Sequence, residues 1–100
     1  NSYHSITSEE FDKMVKDKNF FLVDTHIPEQ EHILGTDAFI PYNEIENNID
    51  SLPENKNAKI VVYCRSGSMS RAAAYTLAEK WYTSVYDLVW GKIAYDMYKN

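Results

Sequence analysis

Two short apolar runs lie along the chain at residues 20–23 and 60–63, and a third run, in which apolar and polar residues are mixed, lies at 84–89. The first ends directly before Asp24 and the second directly before Cys64, and continuous apolar runs of this length are typical of strands buried on both faces of a sheet. The third run is a further candidate strand. The pattern therefore predicts three strands, of which at least two are central.

Helical signals lie between these runs. Thr7 is followed three residues later by Glu10, and Ile6 can pack against Phe11, so the sequence has a capping box with a hydrophobic staple. We predict that this helix continues to about residue 18. A second helix is predicted over about residues 70–81, where alanines and larger apolar residues share one face. A short amphipathic segment at 42–50 and a turn at 52–55 complete the pattern.

Strands that alternate with helices predict an α/β fold with a mostly parallel sheet covered on both faces. Ligands of such sheets bind beyond the carboxyl ends of the strands. Asp24 and Cys64 both follow predicted strands directly, so this edge of the sheet is the expected functional site.

Length and charge narrow the classes of function. A chain of 100 residues, 44% of them hydrophobic, suffices for one domain, and its net charge of −5 disfavours nucleic acid and anionic membranes as partners. No apolar run approaches the ~18 residues that cross a bilayer. The first residue is Asn1, so the sequence does not show whether a leader precedes it. The single cysteine favours a reducing compartment, which we take to be the cytoplasm.

The single cysteine lies in the stretch IVVYCRSGSMSR, between a predicted strand and a predicted helix. A small loop with a glycine at a helix start directs backbone N–H groups and the positive end of the helix dipole at Cys64, which favours the thiolate. Arg65 and Arg71 are the only arginines of the chain, and no acidic residue occurs from 64 to 78. An anionic substrate is expected here. The alternative is that Cys64 is a small buried hydrophobe beside two surface arginines.

The chain resembles the single-domain rhodanese-like sulfurtransferases in three segments. The loop CRSGSMS followed by RAAAYTLAEK is similar to their Cys-Arg-Ser-Gly-Asn-Arg-Ser loop and its Ala-rich helix. FLVDTHIPEQEHILGTDAFIPYNEI resembles their amino-terminal signature, and YTSVYDLVWGKIAY resembles their carboxyl-terminal signature. The three motifs occur in order and together cover residues 6–95, so residues 1–100 are interpreted as a single rhodanese-like domain.

The resemblance implies a central, mostly parallel five-stranded sheet with helices on both faces, and transfer of a sulfane sulfur through a persulfide on Cys64. It implies a small anionic donor such as thiosulfate and a cyanide or thiol acceptor, including a thiol of a thioredoxin-like or other protein. No metal and no organic cofactor are expected. The loop expected to hold substrate and persulfide comprises Arg65, Ser66, Gly67, Ser68, Met69, Ser70 and Arg71. The candidates for the pocket rim are Asp24, His26 and Trp90.

Several residues depart from the family pattern. His26 stands where the family has an arginine, so we expect Asp24 to lose an ion pair or to gain a titratable partner. Trp81 and Trp90 stand where the family often has glycine, and because tryptophan tolerates positive φ poorly, we expect the local backbone to differ there. Met69 replaces the second cation of the loop and is interpreted either as an apolar wall that suits a less charged donor, or as a residue packed outwards.

Two other classes of function remain open at this point. Cysteine-loop phosphatases and arsenate reductases place an arginine after five intervening residues, whereas here position 70 is serine and the arginine is Arg71. One residue turns a helical side chain by about 100°, which disfavours clamping of an oxyanion. A rhodanese-like module that only binds proteins is the second alternative. The three histidines lack the spacing of metal ligands, and a Cys64–His26 protease pair has no third residue to orient it.

Overall fold

The structure, a computed structural model, describes residues 2–100 and forms an α/β domain. In chain order its elements are β1 (His4–Ile6), α1 (Ser8–Val15), β2 (Phe21–Asp24), β3 (Ala38–Phe39), a 3₁₀ helix (Glu46–Ser51), β4 (Lys59–Tyr63), α2 (Ser68–Glu79), β5 (Ser84–Leu88) and α3 (Gly91–Lys99). The α/β class predicted from the alternating pattern is therefore confirmed.

The five strands form one sheet in the order β1-β5-β4-β2-β3, and every neighbouring pair is parallel. β4 lies at the centre, between β2 and β5. In the register of these strands Asp24 of β2 lies beside Tyr63, and Asp87 of β5 lies beside Val62. The residue that follows β4 is Cys64, so the carboxyl ends of two neighbouring strands flank it.

Both faces of the sheet are covered by helices. Val62 points into a core with Val85 and the Ala73 and Leu77 side chains of α2. The preceding residue, Val61, points into a second core together with Phe11 of α1 and Tyr95 of α3. Side chains of successive strand residues point to opposite faces, so a continuously apolar strand fits a sheet that is buried on both sides.

The amino-terminal helix has the predicted cap. The Glu10 amide donates to Thr7 Oγ1 at 3.1 Å, and the Thr7 amide donates to Glu10 Oε1 at 2.8 Å. α1 ends at Val15, earlier than predicted, and α2 occupies Ser68–Glu79, two residues upstream of its predicted position. β1, β3 and α3 were not predicted from the apolar pattern.

The expectation that tryptophan would avoid positive φ at positions 81 and 90 is wrong. Trp81 has φ 72° and Trp90 has φ 63°, although a left-handed conformation costs a non-glycine residue about 1–2 kcal/mol. Both side chains are mostly exposed, so neither crowds the core. The turns themselves are fixed by the elements that they join: the Trp81 amide donates to the Ala78 carbonyl at the end of α2, and Trp90 leads β5 into α3.

A buried carboxylate ties α3 to α1. Asp12 Oδ1 accepts hydrogen bonds from the Tyr95 hydroxyl at 2.9 Å and from Lys99 Nζ at 3.0 Å. The hydrogen bonds from Lys99 and Tyr95 lower the pKa of Asp12 to about 2. This connection fixes α3, whose first residues contact the functional loop. Within residues 2–100, no helix combines the length and apolarity needed to cross a membrane.

Candidate functional site

The sulfur of Cys64 lies at the start of α2. Cys64 follows β4 directly and is 1% exposed. The Gly67 amide donates to its Sγ at 3.0 Å, and the Ser70 hydroxyl oxygen lies 3.5 Å from Sγ. Amide donors and the positive end of a helix dipole stabilise negative charge, so this arrangement favours an anionic sulfur.

Gly67 is the residue that turns the loop. Its φ is 121°, a conformation that side-chain-bearing residues rarely adopt, and it caps α2. This conformation directs its amide at the sulfur, while its carbonyl accepts from the Ser70 hydroxyl at 3.2 Å. The sequence suggested that amides throughout residues 66–70 face the sulfur, and the structure places the Gly67 amide in contact with Sγ itself.

The other side of the loop is held by the first turn of α3. The Lys92 amide donates to the Cys64 carbonyl at 2.9 Å, and the Ile93 amide donates to the Arg65 carbonyl at 3.1 Å. A methyl group at Gly91 would lie 2.5 Å from the Arg65 carbonyl oxygen. The helix can approach the loop this closely only because position 91 is glycine.

Asp24 lies at the end of β2, next to Tyr63 of β4 and beneath the surface. Its carboxylate is fully buried and accepts from the His26 amide at 3.1 Å, from Gln30 Nε2 at 3.2 Å and from His32 Nδ1 at 2.7 Å. The titratable partner of Asp24 is therefore His32, and the expectation that His26 would take this place is wrong. The His26 ring lies elsewhere, with Nδ1 2.8 Å from the Pro28 carbonyl oxygen. Asp24 thus holds the segment that follows β2 from a buried position, in contrast to the rim position expected for it.

His32 is held between two carboxylates. Its Nε2 lies 2.7 Å from Glu29 Oε2, opposite the contact of Nδ1 with Asp24. The hydrogen bond to Asp24, joined by that to Glu29, raises the pKa of His32, and partial burial opposes the shift. Sequence patterns do not indicate this role, because the side chains meet across an irregular loop. In the part of the chain that the structure describes, no group of His, Cys, Asp and Glu residues is arranged to hold a metal ion.

A cavity of about 220 Å³ opens on the other side of the loop. It is lined by Ser5, Ser66, Gly67, Arg71, Asp87, Val89 and Trp90. Ser66, Gly67, Arg71 and Trp90 were expected near the site from the sequence. Asp87 was missed, although its place two residues after Val85 in a predicted strand puts it on the same inward face. Neither Asp24, His26 nor Met69 lines this cavity.

The family model described as the Rhodanese-like domain matches residues 7–96. The chain belongs to the rhodanese-like family. Among curated proteins, the thiosulfate sulfurtransferase PspE of Escherichia coli K12 is 36% identical over 66 residues, a match that covers 63% of this chain and 62% of the relative.

Solved structures share the rhodanese-like fold. A rhodanese-like domain protein from Staphylococcus aureus superposes with a TM-score of 0.79 at 24% identity, over 92% of this chain and 90% of the other. A protein of unknown function from Rhodopseudomonas palustris, described as a possible tyrosine phosphatase, superposes with a TM-score of 0.82 at 22% identity, over 98% of this chain and 83% of the other. Identities this low establish the shared fold alone.

The remaining loop residues of this rhodanese-like domain differ in exposure. Arg65 and Ser68 are exposed, and Met69 is half-buried in the first turn of α2. Position 70 holds a fully buried serine against the sulfur, whereas Arg71 is exposed and lines the side cavity. The guanidinium thus belongs to the cavity beside the loop, while the residue next to the sulfur is neutral.

Proposed function

We propose that this rhodanese-like domain is a sulfurtransferase that carries a sulfur atom as a persulfide on Cys64. The observation that supports this most is the position of Sγ: it is buried at the start of α2, 3.0 Å from the Gly67 amide. The surrounding stretch from 64 to 78 contains two arginines and no acidic residue. A thiolate is the nucleophilic form of cysteine, and such surroundings stabilise it.

The chemistry takes two steps. In the first, the Cys64 thiolate attacks the outer sulfur of thiosulfate, and the bond between the two thiosulfate sulfurs breaks, with its electron pair leaving on sulfite. In the second, an acceptor attacks the outer sulfur of the persulfide, and the Cys64 thiolate is released. The Gly67 amide and the α2 dipole stabilise the negative charge on sulfur in both steps, as an oxyanion hole does for oxygen.

The proposed substrates follow from the charge of the loop and from the relative. Arg65 and Arg71 are exposed cations beside a buried thiol, which favours a small anionic donor. The 36% identity to a protein named thiosulfate sulfurtransferase supports thiosulfate as that donor. The proposed acceptor is cyanide or a thiol, and a protein thiol belongs to the same chemical class.

The test is formation of thiocyanate from thiosulfate and cyanide. We expect turnover by the wild-type protein and its loss in Cys64→Ser, because serine is close in size to cysteine but cannot form a persulfide. A matched control adds Ser51→Cys to Cys64→Ser, which returns a thiol at an exposed site on the 3₁₀ helix. That double variant should stay inactive if the surroundings of position 64 are required, and turnover by either variant would contradict the proposal.

The rival activities give different results. We expect no release of phosphate from aryl phosphates, because Arg71 lines the side cavity and Ser70 occupies the position next to the sulfur. Cys64-dependent phosphate release would favour a phosphatase. A folded protein without thiocyanate formation or sulfur uptake would favour a rhodanese-like module that only binds other proteins.

A further inference from the structure

One buried polar atom of the domain has no partner. Among residues 2–100, Oδ1 of Asp87 is the only buried side-chain oxygen or nitrogen without a hydrogen bond, and the residue is 4% exposed. Buried carboxylate oxygens are nearly always hydrogen-bonded, because an unpaired one forfeits its hydration. Asp87 also lines a cavity, so its incompletely paired carboxylate is a candidate for contact with a ligand.

Asp87 lies on the same side of the sheet as the sulfur. It is in register with Val62, and Cys64 follows two residues later, so the three side chains emerge on the face that α2 covers. Ser70 lies at the start of α2 and contacts Sγ. Burial raises the pKa of Asp87, while the nearby Ser70 hydroxyl and the charge of Arg71 act in the opposite direction.

The cavity beside Asp87 has one negative and one positive group. Arg71 comes from α2, and no salt bridge joins it to Asp87 within the described residues. β1 contributes the uncharged Ser5, and the segment before α3 contributes Val89 and Trp90. A volume of about 220 Å³ equals the share of about seven water molecules at roughly 30 Å³ each, which leaves room for a small organic molecule.

We infer that this cavity is the acceptor subsite of the sulfur transfer and that it binds a small aminothiol carboxylate of the size of cysteine. The ammonium group donates to the Asp87 carboxylate, the carboxylate of the ligand pairs with Arg71, and the thiol faces the loop at Gly67. Gly67 connects the two sites, since its amide holds Sγ and its backbone lines the cavity. The inference rests on the proposed function and names the acceptor of that reaction.

The step that this acceptor performs is balanced without a further reagent. The acceptor thiol loses its proton to solvent, and its sulfur forms a bond to the outer sulfur of the Cys64 persulfide. The bond between that outer sulfur and Sγ breaks, and its electron pair stays on Sγ. The products are the persulfide of the aminothiol and the free Cys64 thiolate, which the Gly67 amide holds as before.

The test follows discharge of the persulfide form. The protein is charged with thiosulfate, freed of excess donor and mixed with cysteine, with 3-mercaptopropionate, which lacks the ammonium group, or with cysteamine, which lacks the carboxylate. Since the three thiols differ in intrinsic reactivity, each rate is divided by the rate of the same thiol with a small free persulfide. We expect a normalised preference for cysteine of about 10- to 100-fold over each analogue, as charged hydrogen bonds provide.

Variants separate the two contacts. Asp87→Asn keeps the size of the side chain and should bring the ratio of cysteine to 3-mercaptopropionate close to one, and Arg71→Gln should do the same for cysteine against cysteamine. Asp17→Asn removes an exposed carboxylate from outside the cavity and should keep both ratios. If Asp87→Asn does not fold, the normalised discharge rates of the wild-type protein with the three thiols decide whether the subsite exists.

The outcomes distinguish the two proposals. If the protein takes up sulfur normally but shows no preference for cysteine, the acceptor subsite is overturned and the sulfurtransferase proposal is kept. The same holds if folded Asp87→Asn retains the wild-type ratio of cysteine to 3-mercaptopropionate. A wild-type protein that takes up no sulfur from thiosulfate or from a polysulfide would overturn both. Preference that depends on Asp87 and Arg71 supports the subsite.

Discussion

Two buried aspartates flank the strand that leads to Cys64, and their surroundings are opposite. Asp24 of β2 accepts hydrogen bonds from a backbone amide and from the side chains of Gln30 and His32. Asp87 of β5 keeps one carboxylate oxygen without a partner and lines a cavity. Both residues are nearly inaccessible to solvent, so burial alone does not separate their roles.

The difference lies in whether the protein itself satisfies the carboxylate. On the Asp24 side the chain after β2 folds back and supplies the donors. On the Asp87 side the neighbouring elements supply apolar surface, Ser5 and Arg71, which forms no salt bridge with Asp87, and a cavity remains. We therefore expect changes at Asp24 to act on stability and changes at Asp87 to act on ligand recognition.

The largest effect on stability is expected for Asp24→Ala. This change leaves the His26 amide and the Gln30 and His32 side chains without their acceptor, and lost charged hydrogen bonds of this kind cost about 3 kcal/mol in total. Denaturant unfolding measures the loss. Asp50→Ala, at an exposed position of the 3₁₀ helix, should change the free energy of unfolding by less than about 0.5 kcal/mol. Equal effects of the two changes would remove the contrast on which the account depends.

Gly91→Ala tests how the loop is held on the Asp87 side. The new methyl group would lie 2.5 Å from the Arg65 carbonyl oxygen at a φ of 63°, and overpacking of this kind costs about 1–3 kcal/mol. We expect reduced stability together with slower sulfur uptake, since the loop must move. Gly35→Ala is the matched control, because Gly35 also has a positive φ of 92° but a methyl group there meets only Lys18 at 3.9 Å. A similar loss of sulfur uptake in both variants would show that the contact with Arg65 is unimportant.

The stability of the Asp24 side should depend on pH through His32. Its pKa is raised above the ordinary 6.5, so its contribution is complete below pH 6.5 and is lost as the pH rises through the folded value. The free energy of unfolding should therefore fall with rising pH above 6.5, and His32→Gln should flatten that slope. His4→Gln, at an exposed position on β1, should retain it. If the free energy of unfolding of His32→Gln still falls with rising pH as in the wild type, another group causes the pH dependence.

The smallest stability effect, with the opposite sign, is expected for Asp87→Asn. The pKa of Asp87 is raised from 3.8 by burial, so the wild-type protein loses stability as the pH rises from 3.8 to the folded value, and the loss persists above it. The uncharged amide avoids this loss. At pH 7 we expect the variant to be as stable as the wild type or more stable by up to about 1 kcal/mol. A strong destabilisation would indicate that Asp87 is as well satisfied as Asp24.

Local signals in the sequence predicted part of this architecture. The cap of α1 could be predicted because Thr7 and Glu10 are three residues apart and contact only each other's backbone. The sulfur site could be predicted because a strand, a glycine and a helix start follow one another around Cys64. Both depend on short separations along the chain.

Features that depend on tertiary contacts could not be predicted in the same way. His32 reaches Asp24 only because the intervening loop folds back, and no spacing rule marks that contact. The positive φ of Trp81 and Trp90 is imposed by the elements that they join, against the preference of the residue itself. Asp87 Oδ1 has no partner because the neighbouring elements supply no donor to it, and the identity of the residue alone does not show this.

Intact-mass spectrometry after incubation with thiosulfate shows whether Cys64 carries the sulfur. We expect a gain of one sulfur atom that maps to the peptide containing Cys64, disappears on addition of cyanide and is absent in Cys64→Ser. An unchanged mass of the folded wild-type protein, or the same gain in Cys64→Ser, would contradict it.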